Sequence, residues 1–293
     1  MKYVVDQVGG IFSGLVGCGL WNWSNPLLVC ISRRIQMDLQ APLTIFVDEA
    51  GSADFRVPSA GERKKAFVVC AVAVPTMAFR ELEQIIPRNA KGEFLKASHR
   101  DFNNALAVTF ADGLIQSKAD VGAFLVDPGA AENIELAHQL EKLANDRRKA
   151  SRDSEPTEEG KRLHPEITSQ DLHYLFFLSK ALFACLEGYL THHRALPSFI
   201  DIVIDTRKLD EFQRQRSVSE LRRICAEKGL RIGRFEWRRE EDEPLLLLPD
   251  LFGGILCRED RYRDVGPAAQ RLWDAGRDGR FKFVNKPPSK KAH

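Results

Sequence analysis

Leu43-Thr-Ile-Phe-Val-Asp-Glu-Ala-Gly51 is the stretch of sequence that decides the fold, an apolar run that ends in two acids and a turn-forming glycine. A second apolar run, Phe199-Ile-Asp-Ile-Val-Ile-Asp205, also ends in an aspartate. The β-branched residues of both runs favour buried β-strands. Open α/β sheets bind their ligands beyond the carboxyl ends of the strands, so Asp48 and Asp205 are candidates for one shared metal site.

The rest of the chain alternates between strand-like and helix-like segments. Further strands are predicted at 66–74, 121–126 and near 231–237, with a weaker candidate at 92–98. Helices are predicted at 77–86, 99–117, 131–148, 169–193, 208–228 and near 245–257. Strands that first follow one another and then alternate with helices indicate an α/β fold, a mixed β-sheet flanked by helices.

Strand geometry separates the acids at these two strand ends. Neighbouring residues of a strand point to opposite faces of the sheet, so Asp48 and Glu49 cannot both point into one site. We therefore expect Glu49 to support the site from the adjacent position. Asp201 shares a face with Asp205 but lies four residues earlier, roughly 13 Å away at about 3.3 Å per residue. Paired catalytic metal ions are only about 3.5–4 Å apart, which makes Asp201 a poor partner for Asp205.

A third acid, Asp250, stands inside an apolar run, Leu245-Leu-Leu-Leu-Pro-Asp-Leu-Phe-Gly-Gly-Ile-Leu256. A buried carboxylate is costly unless a metal ion, a cation or several hydrogen-bond donors compensate it. The alternative is that Pro249 begins a helix and that Asp250 lies in its first turn, where the helix dipole favours a negative charge. The residues alone leave both interpretations open.

The succession of motifs resembles the domain of unknown function 3800 family over roughly residues 42–258. The motifs are V-D-E-A-G-S, a segment with an acid and a lysine, a strand-terminal aspartate, and L-L-x-x-D-L-x-x-G-x-L. That family is assigned to the ribonuclease H-like superfamily and is expected to act as a metal-dependent nuclease. The resemblance therefore implies a ribonuclease H-like sheet and a phosphodiester hydrolase that uses Mg²⁺ or Mn²⁺.

Carried over motif by motif, the resemblance implies that four carboxylates are catalytic: Asp48, Glu93, Asp205 and Asp250. Of these, Asp48, Asp205 and Asp250 are the expected metal ligands. The chain departs from the family pattern at three places. Ala50 replaces the usual serine, one extra residue separates Glu93 from Lys96, and Pro249 precedes the last aspartate. On a strand, the extra residue turns a side chain to the other face, so a bulge would be needed for Glu93 to serve.

Basic residues suggest a nucleic-acid partner, either RNA, DNA or a hybrid. The last third of the chain has an excess of Lys and Arg over Asp and Glu, which suits a polyanion but also a solvated surface. Lys96, Arg207 and Lys208 are candidate phosphate contacts, with an ordinary surface lysine and a solvated helix start as the alternatives. Residues 276–293 are predicted to form a basic tail.

The composition of the chain indicates its compartment and its division into segments. The six cysteines are far apart and form no C-x-x-C pair, which indicates free thiols in a reducing compartment and predicts a cytoplasmic protein. Residues 1–36 are interpreted as an appended or mis-assigned leader in preference to a membrane anchor. The main domain is predicted at 37–275, with a helical and charged insertion near 147–166.

Two functions from different classes remain. One is the metal-dependent nuclease, and the other is a catalytically inactive module of a defence or mobile-element system that binds nucleic acid or a protein. A third candidate, a different kind of hydrolase, is disfavoured because the sequence contains no G-x-S-x-G motif, Walker A loop, H-E-x-x-H motif or Rossmann glycine fingerprint.

Overall fold

The structure is a computed structural model that describes residues 42–51, 67–126, 169–193, 199–205, 229–258 and 266–284, together with one or two residues at a time between some of these ranges. The predicted leader at 1–36 and the predicted charged insertion near 147–166 lie outside the described residues. So do Arg207, Lys208 and residues 285–293 of the predicted tail.

A six-stranded sheet organises the described residues. Its strands, in chain order, are β1 (Leu43–Ala50), β2 (Phe67–Pro75), β3 (Asp120–Val126), β4 (Ile200–Asp205), β5 (Ile232–Arg238) and β6 (Phe281–Val284). Their order across the sheet is β5-β4-β1-β2-β3-β6. Strand β2 is antiparallel to β1 and β3, whereas the other neighbouring pairs are parallel. The predicted mixed β-sheet is confirmed.

Helices cover both faces of the sheet. They are α1 (Phe79–Ile85), α2 (Asn104–Gln116), α3 (Ser169–His192), α4 (Leu247–Arg258) and α5 (Gly266–Arg277), and short 3-10 turns precede α1 and α4. On one face, α4 packs against β1 and β2, and both α2 and α5 pack against α4. On the other face, α3 packs against β2, β3 and β6. Within the described part of the chain, no helix combines the length and the apolar character needed to cross a bilayer.

Strict alternation along β2 divides the core between the two faces. Val68 and Cys70 point towards α4 and belong to its hydrophobic cluster, while Phe67 stacks edge-on against Phe177 of α3 at 5.7 Å. Because both faces are buried, β2 reads as a continuous apolar run, as expected for a strand covered on both sides. Helix α3 comes closest at Gly122 of β3, where a Cβ atom would lie 2.1 Å from the backbone nitrogen of Cys185.

Three segments differ from the sequence predictions. Residues 92–98 form no strand and contribute only an isolated bridge between Arg88 and Phe94. The helix predicted from residue 99 begins at Asn104, because the Asn103 side chain accepts a hydrogen bond from the N–H of Leu106 and caps it. Residues 281–284, predicted to belong to the basic tail, instead form β6, because Phe281 is buried in the core and the segment pairs with β3.

The amino-terminal end of β1 lies at the edge of the sheet where β3 begins. There Asp120, with a side chain only 1% exposed, is held by three basic residues. His192 approaches Oδ1 at 2.5 Å, His193 approaches Oδ2 at 3.1 Å, and Arg280 donates to Oδ1 at 3.2 Å. This network joins the end of α3 and the start of β6 to the sheet, at the edge opposite Asp48.

Candidate metal centre

Asp48 lies at the carboxyl end of β1, in the position that the sequence predicts. It shares the α4-facing side of the sheet with Phe46, and Cys70 is its cross-strand partner on β2. The residue is 7% exposed, and its Oδ1 accepts a hydrogen bond of 2.7 Å from the backbone N–H of Glu49. A carboxylate is therefore buried at the end of a strand with a single hydrogen bond recorded among the described residues.

Asp250 approaches the same place from the first turn of α4. Its Oδ2 accepts a hydrogen bond of 2.7 Å from the backbone N–H of Ala97. Two glycines allow this close approach, because a Cβ at Gly254 would lie 2.2 Å from that of Ala97 and one at Gly253 would lie 3.0 Å from that of Ala50. Asp250 lies in a first helical turn, but the helix begins at Leu247 and not, as the second interpretation expected, at Pro249. The Asp250 carboxylate also lies close to that of Asp48.

Glu240 completes the group. Asp48, Glu240 and Asp250 each offer a carboxylate oxygen, and these three oxygens all lie within 4.8 Å of one another. We call this set the acid group. Glu240 was not predicted from the sequence, although a signal was present: it follows the carboxyl end of β5 by two residues, and β5 runs parallel to β4.

The charges of the acid group act strongly on one another. Burial raises the pKa of Asp48 well above its usual range, and the neighbouring charges of Glu49, Asp250 and Asp205 raise it further. Burial also raises the pKa of Asp250, to about 6, with an additional contribution from Glu240. The hydrogen bond from Ala97 opposes this rise. Neighbouring carboxyl groups with raised pKa values are typical of a site that binds a cation.

Asp205 lies beside the acid group but is not a member of it. The parallel register pairs Val47 with Ile204, so Asp48 and Asp205 follow at the same edge of the sheet, as predicted. The charge of Asp205 raises the pKa of both Asp48 and Asp250. Its oxygens are nevertheless outside the 4.8 Å set, so the structure gives Asp205 a neighbouring position. Asp201, which strand spacing excludes from this set, is buried and pairs with Arg234 at 3.0 Å.

Glu93 is placed elsewhere. Its side chain is exposed and accepts a hydrogen bond of 2.7 Å from the Asn89 amide. The Asn89 side chain also accepts from the backbone N–H groups of Lys91 and Glu93, and Gly92 adopts a positive φ of 82°. This tight turn directs Glu93 to Asn89, and the acid group contains Glu240 instead. The segment that carries Glu93 does reach the acid group, through the backbone N–H of Ala97, but the Glu93 side chain is hydrogen-bonded to Asn89.

Lys96 and Glu49 both lie at the acid group. The Lys96 ammonium contacts Oε2 of Glu240 and lies 3.7 Å from Oε1 of Glu241. Partial burial lowers the pKa of Lys96, but the hydrogen bond and charge of Glu240 outweigh it and leave the pKa raised. Glu49 donates its backbone N–H to Asp48, as expected for a residue that supports the site from the adjacent position.

The chemistry of the acid group fits a hard divalent cation. All three donors are carboxylate oxygens, the ligands that Mg²⁺ and Mn²⁺ prefer over nitrogen or sulfur. Asp48 is buried with one recorded hydrogen bond, and the pKa values of Asp48 and Asp250 are raised without a compensating ion. The residues present can therefore hold a divalent metal ion.

Comparisons with known proteins give matches among solved structures but no sequence match. No family model matches the chain. No curated protein sequence matches it either. The chain is similar to a mutant of Bst-RNase HIII, with 12% identity and a TM-score of 0.39, over 83% of this chain and 56% of that one. It is also similar to Bst-RNase HIII in complex with Mn²⁺, with 11% identity and a TM-score of 0.38, over 82% and 56% of the two chains. The chain thus spans little more than half the length of these structures.

Proposed function

We propose that this protein is a metal-dependent phosphodiester hydrolase that cleaves nucleic acid with the acid group Asp48, Glu240 and Asp250. The observation that carries the proposal is the convergence of three carboxylate oxygens within 4.8 Å at the carboxyl edge of a mixed α/β sheet. Such an edge is where open α/β sheets bind their ligands. A cluster of three carboxylates can bind divalent ions, and such ions neutralise the negative charge that develops on a phosphate group during its hydrolysis.

Each residue has a distinct part in this proposal. Asp48 and Asp250 would hold the ion from β1 and α4, and Glu240 would contribute an oxygen from the turn that follows β5. Bound there, Mg²⁺ or Mn²⁺ would polarise a substrate phosphate and make a water molecule more acidic. Asp205 adds negative charge beside this group and is the candidate for a further ligand or for orienting water.

Nucleic acid is the proposed substrate because phosphodiesters are the anions that such a site hydrolyses. Lys96 is a described cation in contact with the acid group and is half-exposed, so it can contact a substrate phosphate. Arg207 and Lys208 follow Asp205 directly in sequence and remain predicted phosphate contacts. Glu93 remains a prediction of the family resemblance, and in our proposal Glu240 takes its place.

Cleavage assays with Mg²⁺ or Mn²⁺ test this function on single-stranded, duplex and hybrid substrates. Asp48→Asn, Glu240→Gln and Asp250→Asn should each reduce cleavage by more than the ~10–100-fold that loss of an outer-shell partner costs a metal site. Asp242→Asn is the matched control, because Asp242 is exposed in the same acidic stretch as Glu240 and lies outside the acid group. Cleavage that survives the Asp48 and Asp250 substitutions would remove the proposed site. Nucleic-acid binding without cleavage would favour the inactive binding module.

A further inference from the structure

Lys96 is held over the acid group by its two chain neighbours. The N–H of Leu95 donates to the carbonyl of Pro87 at 2.9 Å, and the N–H of Ala97 donates to Asp250 at 2.7 Å. Both neighbours are buried, whereas the Lys96 side chain is 50% exposed. The backbone at Lys96 is therefore fixed while its long side chain keeps access to solvent.

The partner of Lys96 is a member of the acid group. The Lys96 ammonium contacts Oε2 of Glu240, whose side chain is only 10% exposed. Among the ion pairs of the described residues, no other Lys or Arg contacts Asp48, Glu240 or Asp250. The ammonium thus lies on the carboxylate that joins the group from a turn and not from a strand or helix.

We propose that Lys96 is a placeholder cation, whose ammonium neutralises Glu240 in the metal-free protein and is displaced from it when a divalent ion binds. This inference rests on the proposed function, because it assumes that the acid group is the metal site. Lys96 then competes with the metal ion for Glu240, and its ammonium leaves Glu240 only when a divalent ion is bound.

Charge and side-chain geometry support the exchange. A divalent ion among three carboxylates attracts Glu240 more strongly than a half-solvated ammonium does, and it repels that ammonium at short range. Lysine carries its charge on a flexible stem that can move to solvent while its backbone stays in place. The neighbouring carboxylate of Glu241, 3.7 Å from the ammonium and 69% exposed, offers a nearby alternative partner.

Mn²⁺ titration calorimetry on the full chain, without nucleic acid, tests the competition. Lys96→Met should tighten Mn²⁺ binding by about tenfold, as expected for removing one unit charge a few ångströms from a divalent ion near the surface. Lys91→Met is the matched control, because Lys91 is an exposed lysine five residues earlier with no ion pair recorded among the described residues, and it should bind as wild type does. Lys96→Arg keeps the charge and should bind no more tightly than wild type.

Amine acylation followed by mass spectrometry tests the displacement in the wild-type protein, without any substitution. Mg²⁺ should increase the rate at which Lys96 is acylated by several-fold and leave the rate at Lys91 unchanged, because a side chain released from its contact with Glu240 is more accessible to the reagent. If wild type binds the ions but neither Lys96→Met nor Mg²⁺ produces these changes, the placeholder role is wrong and the metal site stands. If neither wild type nor Lys96→Met binds Mn²⁺, both proposals fail.

Discussion

The backbone N–H of Ala97 donates a 2.7 Å hydrogen bond to Oδ2 of Asp250, across 153 positions of sequence. This bond connects the segment that carries Lys96 to the first turn of α4. It also favours the charged form of this carboxylate, because the hydrogen bond from Ala97 opposes the rise that burial causes in the pKa of Asp250, which is about 6 as the net result. The packing of one helix against one extended segment therefore determines both the position and the charge of a candidate ligand.

That packing predicts an effect at Gly254. A Cβ there would lie 2.2 Å from the Ala97 Cβ, so Gly254→Ala forces α4 and the segment apart. We expect a loss of about 1–3 kcal/mol in the free energy of unfolding, the usual cost of overpacking. Urea denaturation measures it. Gly266→Ala, in α5, has nothing within 4 Å of the new methyl group and should not destabilise the protein. Equal stability of the two variants would contradict the close packing.

Asp250 predicts how the stability of the metal-free protein changes with pH. Its folded pKa of about 6 exceeds the ordinary value of 3.8. A carboxyl whose pKa is raised by folding favours the folded state below its unfolded pKa, and this contribution is lost as pH rises through the folded pKa. We expect a loss of about 2–3 kcal/mol between roughly pH 4 and pH 6.

Urea denaturation in metal-free buffer across this pH range checks the expectation. Asp250→Asn should remove this part of the pH dependence, because the amide oxygen can still accept from Ala97 without becoming charged. Asp242→Asn, at an exposed position, should leave the dependence as in wild type. The assignment fails if the Asp250 variant loses stability over this range as steeply as wild type does.

Divalent metal should stabilise the wild-type fold and not the Asp48→Asn variant. A ligand that binds only the folded state at 100 times its dissociation constant adds about 2.7 kcal/mol. Asp48→Asn should be more stable than wild type in the absence of metal at neutral pH, since it removes a buried carboxyl next to three other acids. Thermal unfolding with and without Mn²⁺, and after addition of a chelator, measures both effects. A Tm that rises equally with Mn²⁺ in both proteins would place the ion elsewhere.

Asp120 predicts a stability effect that is independent of the acid group. Its side chain, 1% exposed, contacts His192, His193 and Arg280, so Asp120→Asn leaves these basic groups without their buried counter-charge. The expected loss is about 3–5 kcal/mol, as for a broken buried ion pair. Because Asp120 pairs with Ala73 at the opposite end of the strands from Asp48, Mn²⁺ affinity of the folded variant should not change. A change in affinity would show that the two edges are coupled.

The positions of two carboxylates at this site can be predicted from the sequence, because strand geometry determines them. Asp48 and Asp205 end two apolar runs, and the parallel register of β1 and β4 brings both to one edge. Asp250 stands out because an acid inside an apolar run needs a partner. These inferences use only local pattern and general rules of α/β sheets.

Other features of the site and the fold cannot be predicted from the sequence, because they depend on how distant segments align in the tertiary structure. Glu240 lies within the charged run Arg238–Glu243, which locally looks like a solvated surface. Its position beside Asp48 and Asp250 follows only from the alignment of β5 beside β4. Glu93 belongs to a motif of the resembled family, but the turn at Gly92 directs it to Asn89. Phe281 begins a strand only because β3 offers it an edge to pair with.

Anomalous diffraction from crystals of the full chain soaked with Mn²⁺ tests the central claim most directly. The account predicts a manganese peak bonded to carboxylate oxygens of Asp48, Glu240 and Asp250 at once. A peak bonded to a different set of residues, or no peak at these three at millimolar Mn²⁺, would contradict it.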